Sequence, residues 1–345
     1  MCPSLIKSIS LEVLKNQDLC IEIERLIKNN HIMSTLTVPS PQPSPREDAQ
    51  NLHRAFKGLG CDTGAVVNIL AHRDASHRDH ILQEYETLFS HDLRKVLADE
   101  LHGNLKKAVL LWMENPAERD AIALRQAIKS VPLFDARGVT ELICTRTCAQ
   151  IRQIKQVYSS KWSSLEDDVK SHASGDHKRL LLAYINTTRY EGPEIDALLV
   201  ESDANFIRKV KAGSSSDEAV LIELFTERSR AHLVALRSAY FTMYQKDLRM
   251  AIKDVTSGSF KNGLSAILQC AENPAKYYAK VMRKAMRGLG THDTAVIRVV
   301  VTRAEIDMQE IKVEYQKRFK KPLVDVIHSE TSGHYRSFLL ALIAG

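Results

Sequence analysis

The sequence predicts an all-α protein built from four copies of one unit, and two observations carry that expectation. First, four segments align on a common frame: "AHRDASHRDHILQEY", "CTRTCAQIRQIKQVY", "FTERSRAHLVALRSAY" and "VTRAEIDMQEIKVEY". Their anchor arginines are Arg73, Arg146, Arg228 and Arg303, and twelve residues after each stands a tyrosine: Tyr85, Tyr158, Tyr240 and Tyr315. A leucine recurs at Leu93, Leu165, Leu248 and Leu323, and a glycine at Gly103, Gly175, Gly258 and Gly333. Second, the local pattern is helical. Between Arg303 and Tyr315, Ile306, Ile311 and their neighbours sit at helical spacing with charges between them. Each recurring glycine is followed by an apolar helical run such as "AVLLWM" or "FLLALI". Strand signals are nearly absent, and the 14 glycines and 10 prolines fall mostly between the helical stretches.

The anchors are 73, 82 and 75 residues apart. That is about twice the period of the common helical-hairpin repeats, so each copy holds more than one hairpin and is expected to contain four or five helices. The organisation follows: residues 46–116, 117–190, 191–273 and 274–345 are the four repeats, and 1–45 is an N-terminal extension with a proline-rich linker. The linker, "VPSPQPSP" at 38–45, is expected to be extended. Residues 1–32 carry an apolar pattern (Leu11, Leu14, Ile21, Leu26) compatible with a short amphipathic helix, but read more simply as an appended leader with little structure.

Bulk properties exclude several classes. The 345-residue chain has a formal charge of +6 spread along its length, with no block of five or six Lys/Arg, so nucleic acid is not an expected partner. A mild basic excess suits anionic membranes, where each surface Lys or Arg contributes about 1 kcal/mol. The six cysteines (Cys2, Cys20, Cys61, Cys144, Cys148, Cys270) form no CxxC pair and no zinc spacing with histidine, and read as reduced cytosolic thiols. Lys7, Glu12, Lys15 and Asp18 interrupt any signal-peptide core, and no apolar stretch approaches the roughly 18 residues that span a bilayer. A membrane would be met from outside.

The distinctive chemistry lies in loops. Before the first anchor stands "FKGLGCD" (56–62), and before the fourth "MRGLGTH" (286–292). A G-x-G turn directs consecutive carbonyls outward because glycine accepts φ values other residues resist. Calcium takes six to eight hard oxygens, and carbonyls, a carboxylate and water suit it. Forty residues after Gly60 stands Glu100 in "ADELHG"; forty after Gly290 stands Glu330 in "HSETSG". The middle repeats are an internal control. Repeat two has "IKSVPLF" with His172 at the carboxylate position; repeat three has "VKAGSSS" with Val255 there. Loop and carboxylate are thus kept together twice and lost together twice, which a mere connecting turn would not require.

These residues resemble annexins over 46–345, the plant members above all, in "ILAHR", "LLWM", "TTRYEGPEID" and "VVTRAEIDMQEI". Met33 resembles the usual start of the family, leaving 1–32 outside the likeness. The resemblance implies five-helix repeats packed as a curved disc, with calcium on its convex face bridging loop carbonyls to the phosphates of acidic phospholipids. It implies ligands from the carbonyls of Phe56, Gly58 and Gly60 with the Glu100 carboxylate, and from Met286, Gly288 and Gly290 with Glu330. Cys61 stands where the family usually has Thr and His292 where it usually has Asp, departures expected to weaken rather than abolish binding. Leu59 and Leu289, at the loop tips, are expected to touch the lipid boundary.

Other implied roles are set against simpler ones. Asp120, Glu141, Arg146 and Arg298 match positions lining a hydrophilic channel, with Ala123 replacing a family acid; an inter-repeat ion-pair network is the preferred reading. His72 matches a histidine connected with peroxidase-like activity, but no haem constellation accompanies it. Cys144 and Cys270 match a pair discussed as redox-sensitive and read instead as buried inert thiols. "IRVV" (297–300) only partly resembles a proposed actin-binding triplet. The expectation is a non-enzymatic, calcium-dependent phospholipid-binding protein of the cytoplasm and membrane periphery, able to self-associate on membranes. An ion-channel or transport-regulating protein is the alternative, and a redox protein a weaker one.

Overall fold

In the computed structural model, the residues described are 35–345 except Leu59, Pro132 and Leu289. Repeat one folds as α1 (Pro45–Ala55), α2 (Thr63–Leu70), α3 (Ala75–Phe89), α4 (Leu93–Glu100) and α5 (Gly103–Trp112). The local sequence explains the breaks. Ser44, Asp62, Asp74 and Asp92 each accept a backbone amide at the start of the next helix, and Pro45 takes the first turn where no amide partner is needed. α5 has no side-chain cap and instead begins on Gly103 with φ +61°.

The same five-helix plan recurs three times. Repeat two is α6 (Pro116–Ile128), α7 (Ala136–Cys144), α8 (Cys148–Lys161), α9 (Leu165–His172) and α10 (Gly175–Asn186). Repeat three is α11 (Ala197–Lys209), α12 (Ser215–Glu227), α13 (Arg230–Tyr244), α14 (Leu248–Val255) and α15 (Gly258–Glu272). Repeat four is α16 (Pro274–Ala285), α17 (Asp293–Arg303), α18 (Met308–Phe319), α19 (Leu323–Glu330) and α20 (Gly333–Ile343). Among the described residues there is no strand, and no helix is long and apolar enough to cross a membrane.

The recurring residues have structural causes. The four tyrosines are at most 2% exposed, and the four leucines open the fourth helix of each repeat, fully buried. The four glycines all start a fifth helix with φ between +57° and +61°, a left-handed turn that a side chain would strain. The anchor arginines of repeats one, three and four form ion pairs within their own repeats. Arg73 grips Asp48 with two bonds of 2.6 and 2.8 Å, and His77 Nε2 lies 2.9 Å from the same buried carboxylate. Arg228, Asp203 and His232 repeat that cluster in the third copy. In the fourth, Arg303 reaches Asp307 on its own side.

The chain forms two units. One holds the described residues up to Ile122 together with Ala275–Gly345, which is repeats one and four with the first half of α6; the other holds Ala123–Pro274. In the first unit a single apolar core runs from Ala49 to Met113 and from Ala275 to Ile343, with α2 and α5 packed on α17 and α20. Trp112 sits at its centre, fully buried, donating its indole N–H to the Leu70 carbonyl at 2.8 Å. The Arg78 guanidinium lies 3.6 Å from the Trp112 ring centroid and that of Arg119 lies 4.8 Å away. Glu305 of repeat four accepts from both arginines. Burial pushes the Arg78 guanidinium down to about 10, opposed by the Glu305 charge, so it stays protonated at neutral pH.

The chain just before the proline-rich linker is tied to repeat four. The Thr35 amide donates to the Ala304 carbonyl (3.0 Å), its hydroxyl donates to Leu342 O (2.8 Å), and its carbonyl accepts from the Gly345 amide (3.0 Å). Thr35 is thus held on repeat four, and further along Ser44 caps α1. The expectations for residues 1–32 lie outside the described residues.

In the second unit α7 and α10 pack on α15. Cys144 and Cys270 are both buried there, and burial pushes the Cys144 thiol well above the ordinary range, consistent with inert thiols.

Candidate metal centre

Two loops share one backbone. In repeat one the chain leaves α1 at Phe56 and closes on itself through the Asp62 amide, which donates to the Ala55 carbonyl at 2.8 Å. In repeat four the His292 amide donates to Ala285 O, also at 2.8 Å. Between these closures Gly58 and Gly288 have φ of +127° and +126°, and Gly60 and Gly290 have +91° and +88°. A side chain is strained at all four positions, which is why the sequence places glycine at each. A Cβ there would meet nothing within 4 Å, so the constraint is conformational and the loop is open to solvent. Phe56 is half-buried and Met286 buried, anchoring the loop roots. Leu59 and Leu289, the expected lipid contacts, lie outside the described residues.

The distant carboxylates arrive by a common route. Glu100 ends α4 and Glu330 ends α19. In repeat four the Thr291 hydroxyl donates to a Glu330 carboxylate oxygen at 2.9 Å and lies 3.2 Å from its carbonyl, so that carboxylate stands beside the loop. In repeat one Cys61 replaces Thr291. Burial pushes its thiol up, and the charges of Glu100 and Asp62 add to the shift. A negative charge at a helix C-terminus opposes the helix dipole. These carboxylates therefore occupy positions that do little for helix stability.

The helices that leave the loops are exchanged between repeats. α2, which follows the first loop, packs on α20, which follows Glu330; α17, which follows the second loop, packs on α5, which follows Glu100. His334 Cε1 lies near the Cβ direction of Gly64. A shallow groove beside the first loop is lined by Asn51, Arg54, Lys57, Gly60, Cys61 and Asp62.

The middle repeats lack this arrangement in different ways. In repeat two the closing bond runs from the Asp135 amide to Ala127 O (3.0 Å), spanning eight residues instead of seven. That loop is one residue longer than the gap-free alignment of "IKSVPLF" implies, and it has no glycine. His172 does end α9, at the carboxylate position, but it faces the Lys129 ammonium at 3.4 Å, which also pairs with Asp168 at 2.9 Å. In the loop of repeat three between α11 and α12, Gly213 alone has a positive φ, +75°, and Val255 ends α14. We therefore expect His172→Glu alone to create no metal site: the new carboxylate meets Lys129 and finds no carbonyl turn. Calorimetry of that variant should show the native calcium stoichiometry, and an additional bound ion would contradict it.

The remaining sequence candidates lie away from the glycine turns in sequence. Glu141 and Arg146 are buried in one unit, Asp120 and Arg298 in the other, and each makes polar contacts. His72 is half-buried with Nδ1 2.8 Å from the Asn68 carbonyl, after the end of α2. The "IRVV" segment lies within α17, with all four residues buried. Sequence reasoning missed the Thr291–Glu330 contact and the Lys129 substitution in repeat two. The first was detectable as a hydroxyl next to the second glycine; the second had no sequence signal.

The annexin family model matches residues 47–112, 119–184, 202–267 and 277–342. Annexin D5 of Arabidopsis thaliana is 57% identical over 313 residues, covering 90% of this chain and 99% of its own. Among solved structures, annexin III aligns with a TM-score of 0.86 at 31% identity, over 90% of this chain and 97% of its own. A calcium-bound annexin (Sm)1 aligns with a TM-score of 0.80 at 28% identity, over 92% and 94%. Four matched segments that follow the four-fold helical plan, with relatives alike over nearly their full length, leave one conclusion: the chain belongs to the annexin family.

Proposed function

We propose that this chain binds acidic phospholipid membranes in a calcium-dependent manner through the loops of repeats one and four. One ion would be held by the carbonyls of Phe56, Gly58 and Gly60 with Glu100, the other by Met286, Gly288 and Gly290 with Glu330. The observation that carries this reading is the Thr291–Glu330 contact, which sets a carboxylate against a loop whose glycine dihedrals recur in repeat one. Outward carbonyls and one carboxylate form the hard-oxygen set calcium takes, and open coordination positions suit lipid phosphate. Calcium-bound annexin (Sm)1, similar over most of its length, supports the choice of ion. The groove beside the first loop offers Arg54 and Lys57 to an anionic headgroup. The role is binding rather than catalysis, in the cytoplasm and at the membrane periphery, with self-association on membranes a further consequence. Asp120, Glu141, Arg146 and Arg298 act in this reading as internal ion-pairing residues. The test is co-sedimentation with phosphatidylserine vesicles as calcium is raised and then chelated. Binding should appear with calcium and reverse with chelator; binding unchanged by calcium would overturn the reading.

The loop tips give a separate expectation. Fully burying a leucine side chain contributes about 1.5–3 kcal/mol, so partial immersion of Leu59 and Leu289 should contribute on the order of 1 kcal/mol each. Leu59→Asp with Leu289→Asp removes that contact and adds charge beside anionic headgroups. Vesicle affinity should fall strongly, even at high salt where a purely electrostatic effect is screened. Lipid-free calcium binding should change little, because the loop ligands are carbonyls. Unchanged vesicle affinity would mean the tips do not face the membrane.

A further inference from the structure

The loop of repeat two has neither glycines nor carboxylate, yet it is not featureless. Val131 is 90% exposed and Leu133 78% exposed, the two most exposed large apolar side chains among the described residues. They flank Pro132 in the sequence. The surrounding loop is well anchored. The Phe134 ring meets His177 edge-on at 6.3 Å, the Asp135 amide closes on Ala127 O, and the Asp135 side chain caps α7 through the Gly138 amide at 2.9 Å. So Phe134 turns inward while its neighbours Val131 and Leu133 are held in water. Exposed Lys129 and Arg137 bracket them.

Within its own repeat this loop occupies the place that the glycine loops occupy in theirs. It joins the first and second helices, and Lys129 at its root contacts the last residue of the fourth helix, His172. We propose that Val131 and Leu133 form a calcium-independent membrane contact, entering the headgroup boundary of an acidic bilayer while exposed Arg137 meets its negative surface. The orientation rests on the function proposed above. A lipid surface fits better than a protein partner for a reason of size. Specific protein interfaces cover about 800 Å² on each side, far more than two side chains supply. A bilayer boundary accepts a small apolar wedge, and a basic flank adds attraction to anionic lipid. Lys129 also removes the need for a metal ion, since its ammonium already neutralises Asp168 and faces His172 where a bound cation would otherwise stand.

The test compares the native chain with V131S/L133S on vesicles of phosphatidylserine and phosphatidylcholine, in chelator and in saturating calcium. Both positions are solvent-exposed, so the variant should keep the native helical spectrum and melting temperature. In chelator the native chain should retain measurable vesicle binding, and the variant should lose about tenfold of it. In saturating calcium both should sediment. A second variant, V131W, should show blue-shifted emission quenched by brominated lipid in chelator, beyond the signal from Trp112 and Trp162. No native binding in chelator, equal binding of the native chain and V131S/L133S there, or quenching of V131W only with calcium, would each overturn the proposal. Failure of the calcium arm alone would instead count against the glycine-loop reading.

Discussion

Glu100→Gln combined with Glu330→Gln should abolish calcium-dependent sedimentation with acidic vesicles at limiting calcium and leave the fold intact. Each substitution deletes one anionic oxygen at constant shape. For a hard cation held otherwise by neutral carbonyls, losing the only side-chain charge should weaken a site on the order of tenfold to hundredfold, and both sites are altered together. The helices should not suffer. Glu330 is exposed and Glu100 half-buried, both stand at helix C-termini, and removing a negative charge there relieves a small dipole conflict. The single variants should be informative as well. In repeat four Thr291 holds the carboxylate against the loop, whereas repeat one has Cys61 at that position, and a thiol is by nature a weak donor. Glu330→Gln should therefore raise the calcium requirement more than Glu100→Gln. Undiminished sedimentation of the double variant would count against the ligand assignment.

The second large effect concerns stability. Trp112→Ala should destabilise the unit formed by repeats one and four by about 3–5 kcal/mol, the range for losing a large buried aromatic. Its indole lies under Arg78, close to Arg119, and donates to Leu70 O. The substitution leaves a cavity, removes the ring face beneath two buried cations and orphans a carbonyl. Trp112→Phe keeps a ring and loses the hydrogen bond, so it should cost less, about 1–2 kcal/mol. Chemical denaturation followed by far-UV dichroism measures both. A Trp112→Ala cost below about 1 kcal/mol would mean the stack contributes little to the shared core.

The contrast between these two predictions reflects what the sequence exposes. Glu100 and Glu330 were legible because the repeat itself marks them. The last residue of each fourth helix is Glu, His, Val or Glu, and its identity follows the presence of the glycine pair forty residues earlier. The helical plan was legible for a similar reason: anchors, tyrosines and leucines recur in register and all are buried or ion-paired in the fold. The Arg78–Trp112–Arg119–Glu305 cluster was not legible, because Glu305 lies 227 residues from Arg78 and periodicity does not say which repeats share a core. The grouping of repeat one with repeat four is invisible for the same reason. The bound state of Thr35 was also missed. A lone threonine before the proline-rich run carries no pattern to pair, and its partners, Ala304, Leu342 and Gly345, lie near the other end of the chain. The extra residue in the repeat-two loop escaped because gap-free alignment on the anchor hides a shift at the end of α6.

In the proposed arrangement the two glycine loops, each with its own carboxylate, are the calcium sites. The most direct measurement is the number of calcium ions bound per chain on phosphatidylserine vesicles, by equilibrium dialysis or calorimetry. The native chain should bind one ion for each glycine loop, Glu100→Gln and Glu330→Gln should each remove the ion of its own loop at limiting calcium, and the double variant should retain neither. The same stoichiometry in the native chain and the double variant would contradict the account.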